Sequence, residues 1–160
     1  GYTNDDYRQL VSKVRDRVPN ASMSTDVIVG FPGETEEQFE RTLDLIRDIR
    51  FDKVHAAAYS NRPGTIAART MQDDVPAEDK TARLKAIEAL QEEVLTEINS
   101  GLSGDSLQIL VEGRKRGKWF GRSRNDKLVF FEDEGDRKGE MVEVCVEKTG
   151  PWSLQAAVAP

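Results

Sequence analysis

The stretch VIVGFPGET, residues 27–35, runs a strand-like apolar segment into two glycines, a proline and then acidic residues. In α/β sheets, ligands bind beyond the carboxyl ends of parallel strands, where loops lead into helix N-termini. Gly30 and Gly33 lack a Cβ atom, so a flat ligand could lie against their backbone. The three glutamates that follow would repel a phosphate group. The stretch predicts a seat for a neutral or cationic ligand, or simply a tight turn before a well-capped helix.

The stretch YSNRPGT, residues 59–65, offers a second set of polar and aromatic groups. Tyr59 could stack on a ligand ring, and Arg62 could bind a carboxylate or a phosphate. A Pro-Gly turn with a solvated arginine is the equally simple alternative. His55 is the only histidine and has no obvious catalytic partner, so we expect it to pack rather than to act in catalysis.

A basic segment lies between Arg114 and Lys127. It contains seven basic residues and one acid, and aromatic residues lie within it and just after it: Trp119, Phe120, Phe130 and Phe131. Cations for phosphates and aromatic faces for bases are the means by which proteins bind single-stranded RNA. Because successive side chains of a strand point to opposite faces, about half of these rings are expected in a core. The alternative is a solvated basic loop.

The first 60 residues predict a helix, a strand, a helix and a strand. Thr3 with Asp6 and Thr35 with Gln38 form capping boxes. The first helix has an apolar face of Tyr7, Leu10, Val11, Val14 and Val18, and the second has one of Phe39, Leu43, Ile46 and Ile49. Strands at residues 22–31 and 51–60 flank the second helix, so a βαβ unit with parallel strands is expected.

The second part of the chain predicts a different architecture. A long helix over residues 78–99 is followed by the Gly/Ser-rich break NSGLSGDS. Five short strand-like runs then fill the remainder, which favours a small closed or nearly closed β-barrel. We therefore predict two domains, residues 1–99 and 104–160.

Composition limits the class of protein. The 160 residues carry a net charge of −6, which argues against a general nucleic-acid coat but allows a local basic patch. The single cysteine, Cys145, permits no internal disulfide and no thiolate metal site. No apolar run reaches the roughly 18 residues of a membrane helix, and the first residues do not read as a signal peptide. A cytoplasmic protein is expected.

Four motifs in order along the chain together resemble the radical-SAM methylthiotransferases. They are TDVIVGFPGETEEQF, YSNRPGTIAA, DDVPAEDKTARL and GRSRNDKLVFF, which begin at Thr25, Tyr59, Asp73 and Gly121. The resemblance covers essentially the whole chain, and its first motif is quite specific. It implies an α/β fold in which residues 1–99 are the C-terminal portion of a radical-SAM partial (β/α) barrel. It also implies that residues 104–160 are a TRAM domain, a small all-β barrel that binds RNA.

The resemblance implies an enzyme that acts on tRNA. The expected reaction adds a methylthio group at C2 of N6-isopentenyladenosine next to the anticodon, by radical chemistry with S-adenosylmethionine and two 4Fe–4S clusters. The expected partners are the tRNA anticodon stem-loop and S-adenosylmethionine, with no membrane and no obligate protein partner. Two relatives remain as alternatives, one that modifies an aspartate of a ribosomal protein and one specific for threonylcarbamoyladenosine. A non-catalytic RNA-binding module is the alternative of another class.

Site residues follow from the resemblance position by position. The residues that border S-adenosylmethionine are expected to be Val27, Val29, Gly30, Pro32, Gly33 and Tyr59. The residues that contact RNA are expected to be Lys115, Lys118, Trp119, Arg122, Arg124 and Lys127. The family binds its clusters through CxxxCxxC and through three further cysteines, and this chain has neither set. Without a cluster to deliver an electron, the chain by itself is expected to be inactive, with no catalytic or metal-binding residue.

Overall fold

The computed structural model describes residues 2–159. Its elements in chain order are α1 Asn4–Arg17, β1 Ser24–Val29, α2 Glu36–Ile49, β2 Lys53–Ala58, α3 Ile66–Thr70, α4 Ala77–Ser100, β3 Ser106–Lys115, β4 Lys118–Ser123, β5 Leu128–Phe131, β6 Met141–Thr149 and β7 Leu154–Val158. Two compact units result, one of residues up to 19 with 23–91 and one of residues 20–22 with those from 92 onward. None of the helices in the described part of the chain has the length and apolar character to cross a membrane.

Both predicted capping boxes are present. Thr3 precedes α1 and exchanges side-chain and backbone hydrogen bonds with Asp6, and Thr35 does the same with Gln38 at the start of α2. The predicted apolar face of α2 is confirmed, since all four of its residues are buried. The predicted face of α1 is partly wrong, because Val11 is buried but Leu10 and Val18 are exposed.

Strands β1 and β2 pair in parallel, as the strand–helix–strand pattern predicted. Their register runs from Ser24 opposite Lys53 to Val29 opposite Ala58. Alternation along the strands gives the sheet two different faces. Val29 is fully buried on one face, whereas Ile28 is 58% exposed on the other. In the described residues this sheet has only two strands, so the first unit contains no complete (β/α) barrel.

The five remaining strands close into a barrel in the order β3-β4-β5-β7-β6. All neighbours are antiparallel except β5 and β7, which pair in parallel. The barrel core consists of ten buried residues: Ile109, Val111, Trp119, Val129, Phe131, Val142, Val144, Val146, Leu154 and Ala156. The predicted small all-β barrel is confirmed.

Two glycine-dependent features shape the β3–β4 hairpin. A Cβ atom on Gly121 would overlap the Leu110 carbonyl, so the residue allows the two strands to lie close together. The hairpin turn places Arg116 at φ 52° and Gly117 at φ 84°, the pair of positive values typical of a tight two-residue hairpin turn. This turn places Lys115 opposite Lys118 at the end of the hairpin.

Candidate functional site

The loop after β1 is covered by a lysine from α4. A Cβ atom on Gly30 would lie 2.8 Å from Lys80 Cε, and closer still to Lys80 Cγ. Lys80 is itself buried, and its ammonium group contacts an Asp73 carboxylate oxygen at 2.5 Å. The space that the sequence predicted for a flat ligand over Gly30 is therefore filled by the Lys80 side chain.

A buried ion pair fixes the beginning of α2. Arg83 Nη1 lies 2.7 Å from a carboxylate oxygen of Glu34, and the two side chains are 8% and 14% exposed. The same oxygen accepts a hydrogen bond from the Gly30 N–H, and Arg83 also pairs with Glu36. The charge of Glu34 is thus compensated by Arg83. Glu34 therefore contributes less to the repulsion of phosphate that the sequence predicted.

Two aromatic rings meet at the carboxyl end of the two strands. Phe31 and Tyr59 pack edge to face with 5.2 Å between their ring centroids, and Lys80 Nζ lies 5.4 Å from the Tyr59 centroid. The Tyr59 N–H donates to the Val29 carbonyl, which joins the two strand ends. Phe31 is 41% exposed, so this pair presents an aromatic surface to solvent.

The six predicted cofactor residues do not share one exposed surface. Val29, Gly30 and Pro32 are buried, and Val27 is half-buried on the same face as Val29. Gly33 is exposed, but its N–H donates to Asp74, and Tyr59 is half-buried. The exposed apolar groups at this end are Ile28 and Phe31, and the sequence pattern identified neither as a site residue. Strict alternation along β1, with Val29 taken as buried, would have identified Ile28.

The exposed groups at this end of the sheet are of a kind that could border the S-adenosylmethionine that the resemblance implies. Ile28 and the Phe31–Tyr59 pair offer the apolar and aromatic surface that an adenine ring packs against. An iron–sulfur cluster does not fit, because the chain has one cysteine and residues 2–159 contain no group of three His, Cys, Asp or Glu residues placed to hold a metal.

The barrel strand β4 carries the centre of the predicted RNA surface. Its residues Lys118, Phe120 and Arg122 alternate with Trp119 and Gly121, which are buried. The first three therefore point away from the core and lie in a row along one strand. They form an outward row in which an aromatic ring separates two cations.

Trp119 lies in the barrel core and is only 7% exposed. Its Nε1–H donates to the Asp133 carbonyl at 3.2 Å, and the Arg114 guanidinium lies 5.4 Å from its ring centroid. Neither ring face is open to a stacked base, so the contact predicted for Trp119 is corrected to a core role. The outward ring on this strand is its neighbour Phe120.

The other predicted RNA-contacting residues are cations that differ in their ion pairs and hydrogen bonds. Lys118 pairs with Glu132 at 3.1 Å, and Arg122 pairs with Glu112 and Asp126 at 3.5 and 3.0 Å. Exposed pairs of this kind contribute about 0–1 kcal/mol each and can be displaced. Lys127 donates its N–H to Ser123 Oγ. Lys115 and Arg124 make no ion pair or side-chain hydrogen bond with any residue in the range 2–159.

Two aromatic rings face outward from the barrel, and the sequence pattern did not identify them as a site. Phe120 and Phe130 lie directly opposite each other on β4 and β5, with 6.1 Å between ring centroids and 46° between ring planes. Both are half-buried. Adjacent aromatic residues in the sequence, Trp-Phe and Phe-Phe, concealed which member of each pair faces outward.

Asp133 supports the Trp119 end of the barrel. Its carboxylate accepts hydrogen bonds from Arg137 and from the Gly135 N–H, and these hold the pKa of Asp133 below its ordinary value. The hydrogen bonds to Asp133 and Glu140 correspondingly raise the pKa of Arg137. The loop between β5 and β6 is thus organised by charge-assisted hydrogen bonds.

The barrel and its sequence define a known class of domain. The TRAM domain family matches residues 102–159, which confirms that this part of the chain is a TRAM domain. Over nearly its whole length, the TRAM domain included, the chain is 49% identical over 156 residues to a tRNA-2-methylthio-N(6)-dimethylallyladenosine synthase of Dehalococcoides mccartyi strain CBDB1, with 98% of the chain and 37% of the relative covered. The resemblance to the methylthiotransferases that the motifs predicted is therefore confirmed.

Other relatives with the same name agree. The protein of Herpetosiphon aurantiacus is 51% identical over 157 residues, which cover 96% of the chain and 36% of the relative. That of Aquifex aeolicus is 40% identical over 155 residues, with 97% and 35% covered. The chain spans a little over a third of the length of the curated relatives it matches.

Proposed function

We propose that the chain is part of a tRNA methylthiotransferase that adds a methylthio group at C2 of N6-isopentenyladenosine next to the anticodon. The observation that carries this proposal is identity near 49% across 98% of the chain to a relative named for that activity. In this proposal residues 1–99 are a portion of a radical-SAM (β/α) barrel, and residues 104–160 are the tRNA-binding TRAM domain. The enzyme is placed in the cytoplasm.

The TRAM domain would bind the tRNA anticodon stem-loop through its cations. Lys115, Lys118, Arg122, Arg124 and Lys127 are assigned to phosphate contacts, and Trp119 is left in the core. Lys115 and Arg124 support this assignment most directly, because the described residues supply no partner for either side chain. An unpaired surface cation can meet a phosphate without first breaking an ion pair.

The first unit would contribute one wall of an S-adenosylmethionine site at the carboxyl end of β1 and β2. Gly33 and Tyr59 remain in the proposed set, joined by the exposed residues Ile28 and Phe31. Val27, Val29, Gly30 and Pro32 would act from behind this surface by fixing the loop. When bound in the whole enzyme, S-adenosylmethionine and two 4Fe–4S clusters would supply the radical and methylthio chemistry, and this chain provides no ligand to either cluster.

The test is RNA binding by the whole chain at several salt concentrations. We expect an anticodon stem-loop to bind with an affinity that falls as salt rises. The triple variant Lys118→Ala/Arg122→Ala/Arg124→Ala should bind at least about tenfold more weakly, with a log–log salt slope lower by about two. A matched triple variant at exposed cations of the helices, Lys13→Ala/Arg69→Ala/Lys85→Ala, should bind like the wild type. Binding that is absent, or that ignores both salt and the first triple variant, would contradict the proposal.

The alternatives predict other outcomes. A ribosomal-protein methylthiotransferase would favour a peptide that carries the target aspartate over the stem-loop. A stem-loop with threonylcarbamoyladenosine tests the other tRNA-modifying relative. A non-catalytic RNA-binding module would show the same RNA binding, but the gene would encode no CxxxCxxC motif upstream of these residues.

A further inference from the structure

We propose that the Phe120–Phe130 pair is a stacking platform for one unpaired nucleobase, so that the barrel recognises a single-stranded stretch of RNA rather than a duplex. This inference rests on the proposed function and adds the contact that would select looped RNA. The proposed site lies on the outer surface of β4 and β5. It would contact a base, whereas the cations would contact phosphates.

The placement of the two rings supports this assignment. Phe120 and Phe130 are opposite partners on neighbouring antiparallel strands, and their rings tilt against each other at 46°. They lie outside a core that Trp119 and Phe131 already fill from the same two strands. Phe120 also extends over Gly113, where an added Cβ would lie 3.3 Å from its ring. Phe120 therefore rests against the backbone of Gly113, and both rings stay partly exposed.

Cations flank the rings along the strand. Lys118 and Arg122 are each two residues from Phe120, which corresponds to roughly 6.5 Å on either side. That distance suits the two phosphates adjoining a nucleotide whose base lies on the ring. Glu112 and Asp126 contact the Arg122 side chain, and their exposed ion pairs are weak enough for phosphates to replace.

The ends of β4 extend the same track. The β3–β4 turn carries Arg116, and the loop after β4 carries Arg124; neither forms a side-chain hydrogen bond or ion pair with any described residue. The strand between them spans about 17 Å, enough for a few nucleotides of an extended strand. A cation at each end and an aromatic pair in the middle match a single strand laid along β4.

The choice of single-stranded RNA follows from the geometry of bases. In an RNA duplex the base faces are stacked on one another, and proteins contact phosphates and 2′-hydroxyls instead. A ring pair can receive a base only when that base is unstacked from its neighbours. The nucleotides of a hairpin loop satisfy this requirement, and those of a continuous duplex do not.

The experiment compares two RNA probes with the same number of phosphates, an anticodon stem-loop and a blunt duplex, against the whole chain. Phe130→Leu keeps an apolar side chain but removes the flat face, and it should weaken stem-loop binding by about 5- to 100-fold. Duplex binding and the salt slope of both probes should be unchanged, because no cation is lost. Phe120→Leu should also weaken stem-loop binding. Phe130→Trp, which keeps a flat ring, should bind the stem-loop at least as tightly as the wild type.

Two controls separate stacking from loss of structure. Met141→Ala removes a 52% exposed apolar side chain from the same barrel and should leave both affinities unchanged. A 2-aminopurine in the loop should change its fluorescence on binding to the wild type but not to Phe130→Leu. Equal stem-loop affinity for wild type and Phe130→Leu would overturn the stacking site alone, and so would an equal loss on the duplex. A wild-type chain that binds neither RNA would overturn the proposed function as well.

Discussion

Lys80 lies across Gly30, and its side chain occupies the space where any other residue would place a Cβ atom. The contact joins α4 to the loop after β1, and Asp73 and Tyr59 hold the far end of the lysine. Gly30 also has a φ of 68°, a backbone conformation that favours glycine. The close contact with Lys80 and the positive φ therefore each favour glycine at position 30.

Gly30→Ala should lower the free energy of unfolding by about 2 kcal/mol or more, because the methyl group meets both a left-handed backbone and the Lys80 side chain. Gly33→Ala is the matched control. Gly33 has a φ of 80° but nothing within 4 Å of an added Cβ, so only the backbone cost of about 1 kcal/mol is expected.

Chemical denaturation of both variants measures the difference. In the double variant Gly30→Ala/Lys80→Ala, part of the extra loss at residue 30 should disappear, because the steric term is removed. Equal losses for Gly30→Ala and Gly33→Ala would show that Lys80 exerts no steric constraint on the loop.

The buried pair of Arg83 with Glu34 makes a second prediction. Arg83→Met should destabilise the first unit by about 3 kcal/mol, because it leaves the Glu34 carboxylate buried without its cation. Adding Glu34→Gln should recover part of that loss, and a double-mutant cycle by urea denaturation gives the coupling free energy. Arg41→Met breaks only an exposed pair with Glu37 on α2 and should change stability by less than about 0.5 kcal/mol. Additive effects of the Arg83 and Glu34 substitutions would contradict the coupling.

The sequence predicted those parts of the fold that depend on residues close together in the chain. Both capping boxes, the buried face of α2, the parallel strand pair and the five-strand barrel follow from spacing within a few residues. The Lys80 contact with Gly30 joins residues fifty positions apart, and no local pattern signals it.

The candidate site residues were harder to predict than the fold, because the strands that carry them have apolar residues on both faces. Val27, Ile28 and Val29 are consecutive apolar residues, so period-two alternation identifies the exposed one only once the burial of Val29 is known. The same problem arises for Trp119 beside Phe120. Burial of Trp119 in the closed barrel and its hydrogen bond to the Asp133 carbonyl decide that case, and both depend on contacts between strands.

Stability of the barrel should depend on pH through Asp133. The hydrogen bonds from Arg137 and from the Gly135 N–H lower its pKa in the folded state. A lowered folded-state pKa means that the contribution is present at neutral pH and is lost as pH falls below about 4 through the folded value. Asp133→Asn should therefore be less stable than the wild type at pH 7, and the two should converge at low pH. Thermal denaturation from pH 7 to pH 2 measures the difference, and a gap that stays constant with pH would contradict the assignment.

The open face of the β1–β2 sheet should make the chain bind a hydrophobic dye or associate with itself. On β1 the exposed apolar residue is Ile28, whereas Val29 is buried. Ile28→Lys should therefore reduce dye fluorescence and weaken self-association, because a charge on an open sheet face opposes edge and face contacts. Leu10→Lys is the matched control, since Leu10 is 56% exposed but lies on α1. It should have little effect in dye titration and analytical ultracentrifugation. A wild-type chain that is monomeric and has no affinity for the dye would contradict the prediction that this sheet face is an exposed apolar surface.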